Sequence, residues 1–282
     1  VSSVLYDAPG PRARLRNRVY TALGILLVLV VLGAVVWRLD FAGQLARSKW
    51  DPFIYQDIQT ALLRAWWATV RVALVAVALS LALGTVLAVL RLSTVRALRW
   101  ITTGLVEFLR APPVLLMMFW FLYASRGAIP VFWCAVLGLT LYNGAIISEI
   151  LRAGVLAVPK GQREAAFALG LTSGQVMRMV LLPQAVRSML PSIVAQVVVV
   201  LKDSALAYII GYTELLRWGT NLGTEFFNLV PASIVIAVVY IGTNMVIAGL
   251  AKLLERRLST TAPRARAAAA PRTPAQVGGG AL

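Results

Sequence analysis

Apolar residues in this chain gather into long blocks, separated by short stretches that hold most of the charge. Neither the strict alternation of a half-buried strand nor the one-sided stripe of a soluble helix accounts for such blocks. A helix rises about 1.5 Å per residue, so about 20 mostly apolar residues span the roughly 30 Å core of a bilayer. Six blocks meet that requirement, near Tyr20–Val36, Trp66–Leu90, Ile101–Tyr123, Ile129–Ile147, Gln184–Leu201 and Pro231–Leu253. The fifth opens on Pro183, Arg187 and Pro191, which a membrane helix tolerates when its neighbours satisfy the freed carbonyls. The pattern predicts an all-α integral membrane protein.

Charge gives the blocks a direction. Arg12, Arg14, Arg16 and Arg18 precede the first; Arg91, Arg96 and Arg99 follow the second; Arg152, Lys160, Arg163 and Arg178 follow the fourth. The tail adds Lys252, Arg256, Arg257, Arg264, Arg266 and Arg272. The other connections are richer in acid, with Asp40, Asp51 and Asp57, then Asp203, Glu214 and Glu225. Six crossings put every basic segment on one side, which the positive-inside rule makes the cytoplasm, with both termini there. A cleaved signal peptide is the other reading of Tyr20–Val36, but Trp37-Arg38 offers no small-residue cleavage site. An uncleaved helix over 20–37, behind a basic segment 1–19, is the expectation. Residues 258–282, rich in Ala, Pro and Arg, read as a disordered cytoplasmic tail.

Composition agrees and removes whole classes of function. The chain is 60% hydrophobic and 13% charged, against about 45–50% and about 25% in ordinary soluble domains. Its net charge of +16 is dispersed between apolar blocks rather than along one face, so it speaks for membrane topology and against nucleic acid. Cys134 is the single cysteine and histidine is absent, which rules out disulfides, Cys/His zinc sites and histidine-dependent catalysis. No catalytic residue, metal site or cofactor is expected. There is no Gly-Lys-Ser/Thr phosphate loop, so any nucleotide must be handled by another chain.

The stretch Glu149–Pro183, between the fourth and fifth blocks, is long for a connection in a compact domain, and such connections usually carry function. Glu164–Leu169 is good helix-forming sequence with Gly170 as a natural stop. Ala165, Ala166 and Ala168 give that helix little bulk, so another protein can approach it closely. An ordinary interfacial amphipathic helix is the competing reading of this short run. The order Glu164-Ala165-Ala166, Gly170, Val180 and Leu182-Pro183 resembles the EAA loop of permeases of ATP-binding-cassette (ABC) importers, with Val180 where that family usually has Ile. Arg152-Ala153-Gly154, Gly161-Gln162, Pro183-Gln184-Ala185, Leu201–Leu206 and Glu214-Leu215 resemble the polar amino acid branch. So does Glu107–Pro112, in which Ala111 replaces the usual Gly.

The resemblance covers about Ala61–Arg257. It implies a type I ABC importer permease fold: a five-helix core over 61–257 with a coupling loop at 149–183, plus one extra N-terminal transmembrane helix. It also implies that Gly161, Glu164, Ala165, Ala166, Ala168 and Gly170 form the face that couples to an ATPase. The implied partners are two ATP-binding subunits, a second permease chain, an extracytoplasmic amino acid-binding protein and membrane lipid. The implied location is a bacterial inner membrane, and the implied cargo is a polar amino acid, with glutamate or aspartate the first expectation. A secondary transporter or channel working without an ATPase would need several intramembrane carboxylates, and the blocks hold very few. A membrane scaffold without transport is the remaining alternative.

Ionisable groups inside a bilayer are costly and therefore informative. Lys202 and Asp203 read either as a mutual salt bridge at a helix break or as ligands, with Lys202 on a substrate carboxylate and Asp203 or Ser204 on its ammonium group. Asn143, near mid-membrane, fits a hydrogen bond to a zwitterion and a helix–helix hydrogen bond equally well. Glu149 and Arg152 fit gating or structural pairing at the cytoplasmic mouth, and Glu107 lies one turn from Arg110. The tryptophans Trp66, Trp67, Trp100, Trp120 and Trp133 fit interface anchors or packing.

Overall fold

The computed structural model describes residues 10–259, and these fall into two compact units. One comprises residues 10–68 and 213–239; the other comprises residues 69–212 and 240–259. The described residues are mostly helical, with α1 (Pro11–Phe41), α2 (Gln56–Arg91), α3 (Arg96–Arg110), α4 (Val114–Ala124) and α5 (Val131–Leu156) in the first part. There follow α6 (Lys160–Ala168), the single turn α7 (Ser173–Gln175), α8 (Leu182–Asp203), α9 (Leu215–Glu225) and α10 (Leu229–Ser259). The expected tail, 258–282, lies outside the described residues beyond Ser259.

In the first unit, α1 begins at Pro11, so Arg12, Arg14, Arg16 and Arg18 sit in its first turns rather than ahead of it. Proline suits a first helical position because its missing N–H would be unbonded there in any case. None of the apolar window of α1 is buried, as befits a helix whose solvent is lipid. Glu214, fully buried, caps α9 by accepting the Arg217 N–H at 2.9 Å. Lys49 and Asn228 tie the two sequence-distant parts of this unit together. Lys49 Nζ donates to the Phe227 carbonyl at 2.8 Å, and Asn228 Nδ2 donates to the Lys49 carbonyl at 3.0 Å.

In the second unit α5 is central and packs against α3, α4 and α8. Met118, Val136, Leu139 and Val200 are among its fully enclosed side chains. α2 lies very close to α5 at Gly84, where a Cβ would stand 2.8 Å from the Gly144 carbonyl oxygen. Only a small residue permits that approach, the usual means of packing helices where no hydrophobic force drives them together.

Two expectations about the spans are corrected. The block Ile101–Tyr123 is not one straight helix: α3 and α4 meet at a bend of 94°. Pro112 and Pro113 cause it, since two successive prolines remove two N–H donors and the residue before each is pushed out of helical geometry. Counting the bent pair as one span, the described residues hold up to six helices long and apolar enough to cross a membrane. The stretch Glu149–Pro183 is mostly helical rather than a loop. α5 continues to Leu156, α6 and α7 follow, and a π-helical turn over Val176–Leu181 runs straight into α8.

Candidate functional site

The short helix α6 is where the alanine-rich segment was expected to lie, and Gly170 ends it as expected. Leu169 is the last residue of the turn, Gly170 takes φ +81°, and two reversed hydrogen bonds close the end. The Gly170 N–H donates to Phe167 O at 2.9 Å and the Leu171 N–H to Ala166 O at 3.3 Å. This double closure is the Schellman motif, and its positive φ falls in the region that glycine alone enters without penalty.

Ala166 is buried; Gly161, Glu164, Ala165, Ala168 and Gly170 are exposed. A Cβ at Gly161 would meet nothing within 4 Å. Ala166 plugs α6 into a cluster with Val155 on α5, Val176 and Leu181 on the π turn, and Ala185 and Met189 on α8. Gln184 Nε2 reaches Gln162 Oε1 at 3.5 Å, and the Thr172 N–H donates to Gln175 Oε1 at 2.8 Å. α6 is thus anchored by one face to the base of α8, and its small-residue face is left open.

Above this knob, Glu149 gathers three arginines. One oxygen meets Arg91 at the end of α2; the other accepts from Arg152 Nη2 at 2.8 Å, one turn along α5. Arg110, at the end of α3, stands 3.9 Å away and also lies 3.7 Å from Glu107. Glu107 pairs with Arg110, and Glu149, read for gating or structural pairing, pairs with Arg152 and joins three helices. Arg91 has 4% of its side chain exposed, so the arginine of this pair is withdrawn from solvent while Glu149 keeps part of its surface.

Asn143 is fully buried on α5. Its Oδ1 accepts from Gln196 Nε2 on α8 at 2.6 Å, and its Nδ2 donates to Leu139 O at 2.9 Å. Its bond to Gln196 links α5 to α8. Lys202 and Asp203 end α8, where the chain passes into a 3₁₀ turn over Ser204–Tyr208. The helix break is present, but among the described residues no ion pair links Lys202 to Asp203. Consecutive residues on a helix point about 100° apart, so they do not face each other. Lys202 is exposed and Asp203 half-buried, and Ser204 Oγ donates to Leu201 O at 2.7 Å.

Arg71 adds a residue that the sequence reading passed over. On α2, its guanidinium lies 4.8 Å from the Phe132 ring centroid and donates from Nη2 to Tyr212 Oη at 3.1 Å. Both rings pack on the cluster that holds Val72, Val200 and Ala207. Arg71 and Gln196 were findable by the rule applied to Lys202, since both are polar residues inside apolar blocks.

The sequence from residue 80 to 260 matches the family model described as "Binding-protein-dependent transport system inner membrane component". The chain is 43% identical over 223 residues to the glutamate transport system permease protein GluD of Corynebacterium glutamicum, covering 77% of this chain and 82% of that one. It is 33% identical over 227 residues to the arginine transport system permease protein ArtQ of Bacillus subtilis, covering 79% and 99%. Among solved structures, a crystal structure of an amino acid ABC transporter with histidines matches with TM-score 0.67 and 28% identity, over 71% of this chain and 94% of that one.

Proposed function

Because this chain belongs to the family of binding-protein-dependent transport system inner membrane components, as an amino acid permease of the ABC importer type, we propose that it carries glutamate or a similar acidic amino acid inward and is driven through α6. The observation that carries the coupling is the geometry of α6: small residues exposed on one side, and Ala166 locked into the base of α8 on the other. A helix held in this way moves as one piece with the helices behind it. Closure of two ATP-binding subunits around nucleotide would press on Gly161, Glu164, Ala165, Ala168 and Gly170. The π turn would carry that displacement directly into α8.

The basic connections face the cytoplasm in this reading, with both termini inside. A single five-helix core makes half a translocation path, so a second permease chain, identical or related, completes it. An extracytoplasmic binding protein delivers the amino acid to the opposite face.

The charges available for the cargo match an acidic amino acid. Such a molecule carries two carboxylates and one ammonium group. Arg71 and Lys202 supply two cations, and Asp203 with Ser204 supplies acceptors for the ammonium. Val72 and Val200, close to Arg71 and Lys202 in sequence, share one core cluster. Asn143 stands deeper, and its bond to Gln196 would have to open for it to meet a zwitterion. GluD, the relative named above for glutamate transport, supports the same class.

Coupling is tested with the assembled complex in proteoliposomes. Gly170→Arg or Glu164→Arg should abolish substrate-stimulated ATP hydrolysis while the subunits still co-purify. Full stimulation in both variants would remove α6 from the mechanism. Competition for transport by a panel of labelled amino acids tests the cargo, and glutamate or aspartate should compete best.

A further inference from the structure

A cavity of about 420 Å³ lies beside α6, within the range of about 300–1,000 Å³ typical of small-ligand sites. Five cations line it: Arg91, Arg99, Arg152, Lys160 and Arg163. No carboxylate does. Glu149 compensates Arg91 and Arg152 from outside the lining, while Arg99, Lys160 and Arg163 form no ion pair among the described residues. Five cationic side chains around one space, two of them compensated by Glu149 and three not, favour an anionic acceptor there. The remaining wall is apolar, including Val155, Leu156 and Leu181.

We infer that this cavity holds the phosphate headgroup of an anionic phospholipid of the inner leaflet. The argument rests on the combination of linings. A soluble acidic amino acid would need an acceptor for its ammonium group, and the lining offers no acidic side chain for it. A phospholipid needs only what is present: clustered guanidinium and ammonium donors for phosphate, and an apolar flank for the glycerol and the first acyl carbons. Position agrees. Arg91 ends α2, Arg99 lies in the first turn of α3, Arg152 is in the last turns of α5, and Lys160 and Arg163 lie on α6. The site therefore lies where spans end, on the side that the proposed topology makes cytoplasmic, and the inference depends on that topology. A headgroup there would brace α6 against α3 and α5.

The test uses the complete transporter in nanodiscs of equal phosphatidylglycerol and phosphatidylcholine, with the lipid that stays bound weighed by native mass spectrometry. The expected result is preferential retention of phosphatidylglycerol on the permease. Arg99→Gln with Arg163→Gln, both exposed and outside the Glu149 cluster, should lower that preference about 30-fold, two cations being removed. Arg12→Gln with Arg14→Gln, which removes as much charge elsewhere, should leave it unchanged. Equal retention of both lipids, equal loss in both double variants, or displacement by inorganic phosphate with no lipid bound would each overturn the inference. So would lipid that binds only after the ATP-binding subunits are stripped away, since those subunits would then own the cavity. Ser93→Cys, probed with a membrane-impermeant maleimide, checks the topology separately. Labelling from the outer face would sink the sidedness itself, whereas inner labelling without lipid retention sinks only the lipid site.

Discussion

Replacing Glu149 with Gln should destabilise the helix bundle out of proportion to a single isosteric change. The carboxylate is 28% exposed and contacts Arg91, which is only 4% exposed, so that pair is poorly screened. Removing one partner of a buried pair typically costs about 3–5 kcal/mol, because the other charge stays buried without compensation. Arg152 and Arg110, at 32% and 38% exposed, can turn to water, so their loss adds only about 0–1 kcal/mol each. Glutamine keeps one acceptor oxygen for Arg91, which brings the expected cost to about 3 kcal/mol. For a folded unit of this size that corresponds to a fall in Tm of roughly 6–12 °C. The assay is fluorescence-detected gel filtration of the detergent-solubilised complex after stepwise heating, with wild type alongside. Arg91→Gln is combined with it in a double-mutant cycle. The two changes should be less than additive by about 1 kcal/mol or more, since the second removes the charge that the first left exposed to the interior. A Tm within about 2 °C of wild type, on the same scale, or strict additivity in the cycle, would show that Glu149 does not hold these helices together.

Three other outcomes follow from the geometry. Gly170→Ala forces a side chain onto a residue at φ +81° and should cost about 1 kcal/mol, with a partial loss of substrate-stimulated ATPase activity that Gly170→Asn suffers less; equal activity in wild type and alanine variant would refute the strain argument. Asn143→Leu strands the Gln196 amide and should cost about 0.6–1.7 kcal/mol in heat stability, most of it recovered in Asn143→Leu with Gln196→Leu. Arg71→Gln should raise the transport KM for glutamate about tenfold while leaving a neutral amino acid, if carried, unaffected; a uniform loss for both would make Arg71 a packing residue held by Phe132 and Tyr212.

The long apolar blocks, the basic connections and the alanine-rich segment closed by Gly170 were all readable along the chain, because each depends on local composition. Lipid requires a length of apolar residues, and a helix end in the Schellman geometry requires glycine at one position. The EAA spacing around Glu164 was likewise visible, and it pointed to the family that the comparisons show. Hydropathy is blind, however, to helices that water can cover, so α7 and the last turns of α5 read as part of one connection, in which only the segment of α6 was marked as helix. It is equally blind to direction, so the turn between α3 and α4 was visible only as two prolines inside an apolar block. That Asn143 bonds another helix was a tertiary matter, because it depended on Gln196, 53 residues away, arriving at 2.6 Å. Glu149 and Arg152 fitted gating or structural pairing; folding pairs them and adds Arg91 and Arg110 from two other helices. Such contacts join residues far apart in the chain. Local composition therefore set which segments enter the bilayer and where α6 stops, while packing decided which charges meet once they are there.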